Sequence, residues 1–353
     1  MASSTEYVIR PYESRDRQAL RELAFLLWPQ KDSIFDQRWW WWLLEEPPLW
    51  LAEERETRPL VGFCGYIPFR LYHQGQELSS AWFVDFYVLP AHQRKGLGSR
   101  LTRAVSDQFP VAATLPVSLR PSDAAAAVFE RLGWQPLAVL HRYIFPFASI
   151  PGARRVLAAG RRVAAGPTCE AAPLLEESAF DASFDELWLR VRDSLSPAVA
   201  RDVAALRARY NRQPARPYIL LKCSRAGELA GYMILRLCGK NTIQPLRWFR
   251  LGLIVDYLAD PNDEQTLSTM LSEAKRYMLA RGAQVLICRN TLQGFHRQLI
   301  RSGFVYAGTP VLGAALSRLP GGFTFRMQAD RVLPINAPWH LTLGDCDSDL
   351  AVI

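Results

Sequence analysis

The stretch Val88-Leu89-Pro90-Ala91-His92-Gln93-Arg94-Lys95-Gly96-Leu97-Gly98 decides how this chain is read. Ahead of its basic turn, Ala81 to Leu89 (AWFVDFYVL) is apolar and aromatic, the composition of a strand. Beyond it, SRLTRAVSDQF returns apolar residues at helical spacing. A proline ends the strand and a glycine-bearing turn opens the helix. A helix start leaves backbone N–H groups without intrahelical acceptors, and the helix dipole adds partial positive charge at the same point. Such a corner is a seat for a phosphate or pyrophosphate. Gly96 and Gly98 allow close backbone approach, and Arg94 and Lys95 add formal charge.

Spacing narrows the ligand. A P-loop needs G-x-x-x-x-G-K-[ST] and a dinucleotide fold needs G-x-G-x-x-G, and this segment is neither. The order V-x-P-x-x-Q-x-x-G-x-G resembles the acyl-CoA pyrophosphate loop of the GNAT N-acyltransferase family, which joins the fourth strand to the third helix. The competing reading is a basic, glycine-containing surface turn. The resemblance implies an α/β (α+β) fold, a mixed and mostly antiparallel sheet flanked by helices. It also implies that the pantetheine arm pairs like an added strand with Phe86, Tyr87 and Val88. The pyrophosphate would take N–H groups from Gln93, Arg94, Lys95, Gly96, Leu97, Gly98 and Ser99. An acceptor amine would then attack the thioester directly. A backbone N–H of the fourth strand would hold the developing oxyanion, and a base or water chain would take the amine proton.

Two positions depart from the family pattern. Its fourth helix often reads N-x-x-A-x-x-x-Y-x-x-x-G-[FW], the tyrosine protonating the leaving thiolate. The same frame here holds Ser122, Ala125, Phe129, Gly133 and Trp134. Ser122 can replace the asparagine as a hydrogen-bonding partner. Phe129 has no proton to give, although it can pack against the pantetheine arm. Asp85 is the carboxylate of the fourth strand, either the general base or a structural aspartate at a bulge. His141 and Tyr143, on the following strand, can approach the site or be structural, and His73 and His92 read as loop residues.

Composition bounds the rest. With 353 residues and 49% hydrophobic content, two domains with real cores are expected and a disordered chain is excluded. The net charge of +8 is not gathered into a basic run interleaved with aromatics, so no nucleic-acid partner is expected. The six cysteines are scattered with no C-x-x-C pair, which predicts free buried thiols and no metal. MASSTEYVIR carries no apolar signal core, and no window reaches eighteen apolar residues, so a cytoplasmic chain without a membrane span is expected.

Along the chain the pattern predicts β-α-α-β-β-β-α-β-α-β over residues 1–150, a connector at 151–172 rich in Ala, Gly and Arg, and a looser repeat at 173–335. A tail follows at 336–353. In the repeat, the strand ending at Leu258 leads into Ala259-Asp260-Pro261-Asn262-Asp263-Glu264-Gln265, without a glycine pair and with three carboxylates. Like charge disfavours a pyrophosphate there, so the second domain is expected to have lost coenzyme binding. Trp39 to Trp42 span about 300° of a helix, so they cannot all face one core. They either pack between domains or wall the acceptor pocket. The tail from Trp339 to Asp349 either holds a cationic amine or is a solvated acidic end; its spacing does not fit a calcium loop.

The expected protein is a tandem GNAT-like enzyme that moves an acetyl or other acyl group from CoA to a small-molecule amine or amino sugar, as a monomer or homodimer. A protein or peptide amine is the alternative acceptor. A non-catalytic acyl-CoA-binding or scaffold protein is the alternative class.

Overall fold

A computed structural model describes residues 6–27, 48–56, 58–109, 111–114, 123–147, 167–174, 179–210, 218–239, 249–291, 293–307, 323–328 and 339–345. The chain forms two compact units. The first holds Met1–Phe69, Leu78–Leu137 and Phe325–Leu333, and the second holds Arg70–Glu77, Ala138–Thr324 and Pro334–Ile353.

The first unit is built on strands β1 (Tyr7–Pro11), β2 (Leu49–Glu54), β3 (Leu60–His73), β4 (Gln76–Val88), β5 (Val111–Thr114) and β14 (Phe323–Gln328), in the sheet order β1-β2-β3-β4-β5-β14. Strands β4 and β5 are parallel, whereas β1–β2 and β2–β3 are antiparallel. Helices α1 (Arg17–Leu27), α2 (Leu97–Ser106) and α3 (Asp123–Arg131) flank it. Leu97, Leu101 and Val105 recur every fourth residue on α2, so one stripe of the helix is buried. That stripe meets Phe83, Val88, Phe129 and Trp134 in one core. A second core joins Leu20 and Leu23 of α1 to Leu51, Phe63 and Val84.

The second unit has the sheet order β6-β12-β11-β10-β9-β7. Its strands are β6 (Trp134–Pro146), β7 (Thr168–Pro173), β9 (Tyr218–Arg225), β10 (Glu228–Cys238), β11 (Leu251–Ala259) and β12 (Val285–Asn290), with the short β8 (Ala198–Val199) and β13 (Val305–Tyr306). Again one pair is parallel, β11 with β12, and its neighbours are antiparallel. Helices α4 (Ala182–Val191), α5 (Val203–Tyr210), α6 (Glu264–Ala280) and α7 (Gln293–Arg301) complete it. Adjacent strand residues point to opposite faces. Gly231 accordingly lies under Met270 of α6, while Tyr232 faces Phe184 of α4. Both units are therefore mixed, mostly antiparallel sheets flanked by helices, the fold class expected.

Three expectations change. Cys169 and Cys223 form a disulfide, so not all thiols are free. They sit directly opposite each other on β7 and β9, a register that a separation of 54 residues hides from the sequence. Cys64, Cys238 and Cys288 are buried thiols outside any disulfide. Secondly, Thr168–Pro173 looks like connector by composition, yet it pairs with β9 along its whole length. Its alternating Thr, Glu and Ala residues leave one face exposed, so it carries little apolar signal. Finally, the segment from Trp339 to Asp345 is buried rather than a solvated acidic end. Trp39 to Trp42 lie outside the described residues. No helix among the described residues is long and apolar enough to cross a membrane.

Candidate functional site

The first unit turns from β4 to α2 through a short 3-10 turn, Pro90–His92, and then through two left-handed residues, Arg94 (φ 62°) and Gly96 (φ 78°). Alternating left-handed residues turn successive N–H groups to one side and make an anion-binding concavity. The first helical bond is Arg100 N–H to the Gly96 carbonyl at 3.1 Å. Among the described residues, the N–H groups of Arg94, Lys95, Gly96, Leu97, Gly98 and Ser99 donate to no backbone carbonyl. Gly96 is the N-cap, so no side-chain oxygen takes up these donors, and the first turn of α2 holds no acidic residue. Gln93, Arg94, Lys95 and Gly96 are exposed, Gly98 and Ser99 partly so, and Leu97 is buried with only its backbone directed to the corner.

Neighbours fix the corner in place. The Gln93 side-chain amide donates to the Val88 carbonyl at 2.9 Å, and Leu89 N–H donates to Val61 O at 2.8 Å. Tyr7 of β1 is the residue the sequence reading missed. Its hydroxyl lies 3.0 Å from His92 Nδ1 and accepts from Lys95 Nζ at 3.0 Å, while its carbonyl accepts from Arg100 Nη2 at 2.9 Å. Tyr7 is more than eighty residues from the loop, so no local pattern could have pointed to it.

The two glycines have different reasons. At Gly96 the positive φ excludes a strain-free side chain, while the space around it is open. At Gly98 a Cβ would come within 3.1 Å of Phe86 and 3.2 Å of Val128. Gly98 thus lets α2 close onto β4 and α3, a packing role beside its N–H.

The β4–β5 ladder runs from Ser80–Val111 to Phe83–Thr114, and β4 continues beyond it to Val88. Phe86 and Tyr87 are half-buried and Val88 is buried. These residues form the part of β4 past the described end of β5. Phe129 is only 5% exposed and packs with Phe83, Phe86 and Trp134 at ring distances of 4.8–6.3 Å. It belongs to the aromatic core under the corner. Asp85 lies in β4 with its side chain outside the described residues, and Ser122 lies outside them altogether.

Other candidates fall in the second unit. His141 Nδ1 lies 2.9 Å from the Tyr306 hydroxyl, and the Tyr143 hydroxyl 2.6 Å from His296 Nδ1. Burial raises the Tyr143 hydroxyl above its ordinary range and lowers His141, which keeps both neutral. His73 ends β3 and is buried, not a loop residue.

The equivalent corner of the second unit is closed by its own side chains. Asp263 caps α6, accepting from Thr266 N–H at 3.0 Å, and pairs with Arg225 at 3.0 Å. Glu264 pairs with Arg301 at 2.8 Å. The parallel ladder of β11 with β12 runs from Leu251–Val285 to Ile254–Cys288. Past it the tail enters: His340 Nε2 bonds to Tyr257 O at 3.2 Å, and Thr342 bridges Asn290. Asp345 anchors this tail through Arg201 at 2.8 Å and Arg209 at 3.2 Å, and Arg201 also holds Asp256. The two guanidinium groups hold the Asp345 carboxyl below the usual range against a large desolvation cost. Asp345 is therefore committed to this network and is not free to hold an acceptor amine.

Residues 16–134 match the family model described as Acetyltransferase (GNAT) family. No curated protein matches the sequence. Among solved structures, a conserved protein of unknown function from Enterococcus faecalis, titled a probable N-acyltransferase, is 12% identical with a TM-score of 0.59, covering 92% of this chain and 72% of that one. The Saccharomyces cerevisiae N-myristoyltransferase with bound myristoyl-CoA is 13% identical with a TM-score of 0.54, covering 95% and 85%. A tandem GNAT protein from the clavulanic acid biosynthesis pathway is 14% identical with a TM-score of 0.51, covering 91% and 98%. At these identities the structures speak for the fold. Residues 16–134 are thus similar to the GNAT family, and the chain shares its overall fold with these solved structures.

Proposed function

We propose that the first unit binds an acyl-CoA at the corner between β4 and α2 and transfers its acyl group to an amine. The observation that carries this reading is the run of N–H groups from Arg94 to Ser99 without backbone acceptors, edged by the exposed cations Arg94 and Lys95. The coenzyme diphosphate takes those donors. The pantetheine arm lies along Phe86 to Val88, where Gln93 must release the Val88 carbonyl if that carbonyl is to pair. The amine nitrogen attacks the thioester carbonyl carbon, a β4 N–H takes the oxyanion charge, and the C–S bond breaks as the amide forms. Asp85 or a water chain accepts the ammonium proton. Phe129 cannot return a proton to the thiolate, so solvent does. Acetyl-CoA is the proposed donor and a small polar amine or amino sugar the proposed acceptor. The second unit takes no coenzyme, because Asp263 and the tail already occupy its corner and its strand fork.

Phe129 favours one second reading, an acyl-CoA-binding protein that does not turn over. Thiol release separates the two. The protein is supplied with acetyl-CoA or a long-chain acyl-CoA and a panel of amines, amino sugars and peptides, and free CoA is followed. Amine-dependent release supports the transferase, and the responding donor and acceptor name the substrates. Tight CoA binding without release supports the second reading, and no binding of any acyl-CoA removes both.

A further inference from the structure

The second unit holds a cleft that the coenzyme corner does not explain. It lies between α4, the 3-10 turn Arg192–Leu195 that follows it, the start of α5 and the hairpin end of β4 at Glu77. Its volume is about 480 Å³, inside the range of about 300–1,000 Å³ that small-molecule sites occupy. Asp185, Trp188, Leu189 and Arg192 all line it. Their spacing is i, i+3, i+4 and i+7, so one face of α4 and of the turn continuing it supplies all of them.

The charges around the cleft are unequally satisfied. Arg70 takes two of the carboxylates, Glu77 at 3.0 Å and Asp202 at 2.7 Å. Asp185 accepts from Val203 N–H at 2.8 Å through Oδ1, and no cation pairs with it among the described residues. Arg207 donates to the Phe180 carbonyl at 2.7 Å, and the Arg192 guanidinium lies over the Tyr72 ring at 4.6 Å. Neither arginine has a carboxylate partner among the described residues. Arg192 Nε and Trp188 Nε1 are buried without a hydrogen-bond partner. Trp188 is 2% exposed and meets the same Tyr72 ring edge-on, 5.8 Å between centroids, so the two groups share one neighbour. Both are donors only, and the partner that suits them brings acceptor oxygens. Leu189 falls between Asp185 and Arg192 in the helix and is 56% exposed, an apolar wall beside these polar groups.

We propose that this cleft binds a free amino acid with an apolar side chain. The ligand carboxylate supplies the planar pair of oxygens that a guanidinium fork accepts, at Arg192 with Arg207 beside it. Its ammonium goes to the second oxygen of Asp185, and its side chain covers Leu189. A simple amine leaves the arginines without an anion, and a simple acid leaves Asp185 without a cation. A doubly charged phosphate meets three carboxylates in the same lining, Glu77, Asp185 and Asp202, and is disfavoured. The site stands apart from the acyl-CoA reading and does not rest on it.

The test titrates the full chain, without acyl-CoA, with L-leucine and with L-phenylalanine by calorimetry. At least one should bind saturably. The amide of the better ligand lacks the carboxylate and its N-acetyl form lacks the ammonium, and each should bind about tenfold more weakly or not at all. Arg192→Gln should weaken the parent amino acid about tenfold. Asp185→Asn keeps an acceptor for Val203 N–H and removes only the charge, so it should weaken the same ligand and stands in if Arg192→Gln does not fold. No saturable binding of either amino acid, a derivative that binds as well as its parent, or an unchanged affinity in a folded variant would each overturn the site; the last outcome would put the amino acid elsewhere on the protein.

Discussion

Helix α2 starts on Gly96, a residue with no side chain, and helix α6 starts on Asp263, a residue that ends in a carboxylate. Both follow the fourth strand of their unit's plan, and both present the positive end of a helix dipole. In the second unit Asp263 supplies the negative group itself, so the corner is internally complete. In the first unit the donors from Arg94 to Ser99 have no backbone acceptor among the described residues. The strand forks differ in the same way. The tail from Trp339 to Asp345 enters the fork of β11 and β12, whereas β4 runs on past the described end of β5. One helix start is capped and the other is the proposed receptor, and the N-cap residue makes the difference.

The largest expected effect comes from releasing the tail. Asp345→Ala leaves Arg201, fully buried, with one partner fewer, and breaking a buried pair in this way costs about 3–5 kcal/mol. Urea unfolding of the variant measures it; a loss below about 1 kcal/mol would mean the tail does not seal the second fork.

Acid offers a second handle on the same seal. His340 is fully buried beside Arg201, donates Nε2–H to Tyr257 O, and has no partner at Nδ1. Its folded pKa falls from 6.5 to about 3, so between those values the unfolded chain binds a proton that the folded chain does not. Stability is fully present above pH 6.5 and declines as the pH falls towards 3, by up to about 1.4 kcal/mol per pH unit. The stability difference between wild type and His340→Gln should therefore shrink or reverse across that window; a constant difference would refute the linkage.

Smaller effects sharpen the first corner. Gly96→Val forces a β-branched residue to φ 78°, a strain of about 1–2 kcal/mol. CoA affinity measured by calorimetry should fall at least tenfold, while the unit stays folded. Gly98→Val instead drives a side chain into Phe86 and Val128 and should cost about 1–3 kcal/mol of stability, visible by denaturation before any ligand is added. If the two variants behaved alike, the distinction between the glycines would fail. The least effect belongs to Asp263→Ala, about 1 kcal/mol for a lost N-cap. This variant should gain no measurable CoA binding, because the tail still fills the fork.

Much of the fold was legible because it rests on local pattern. The apolar run into Val88, the proline and the glycines marked β4, the turn and α2 without reference to anything distant. The same logic found the weaker second copy, since α6 and α7 repeat the spacing of α2 and α3. The candidate site was half legible. Its donors are backbone groups of consecutive residues, so a stretch of eleven letters located them. Their support was not legible, because Tyr7 reaches His92 and Lys95 across the sheet. Phe129 could be placed on a helix by its frame, but its burial among Phe83, Phe86 and Trp134 depends on two other elements, β4 and β6.

The sequence by itself determined where a helix would begin with open amides and where one would begin with a carboxylate, since capping depends on residues within one turn of each other. Only the tertiary structure decided that Asp345 is buried with Arg201, that Cys169 faces Cys223, and that Arg142 meets Arg289. Those pairings span from 54 to 147 residues of chain. They follow from strand register and tail path, which are settled by how whole elements bury their apolar faces together and leave no trace in the local order of residues.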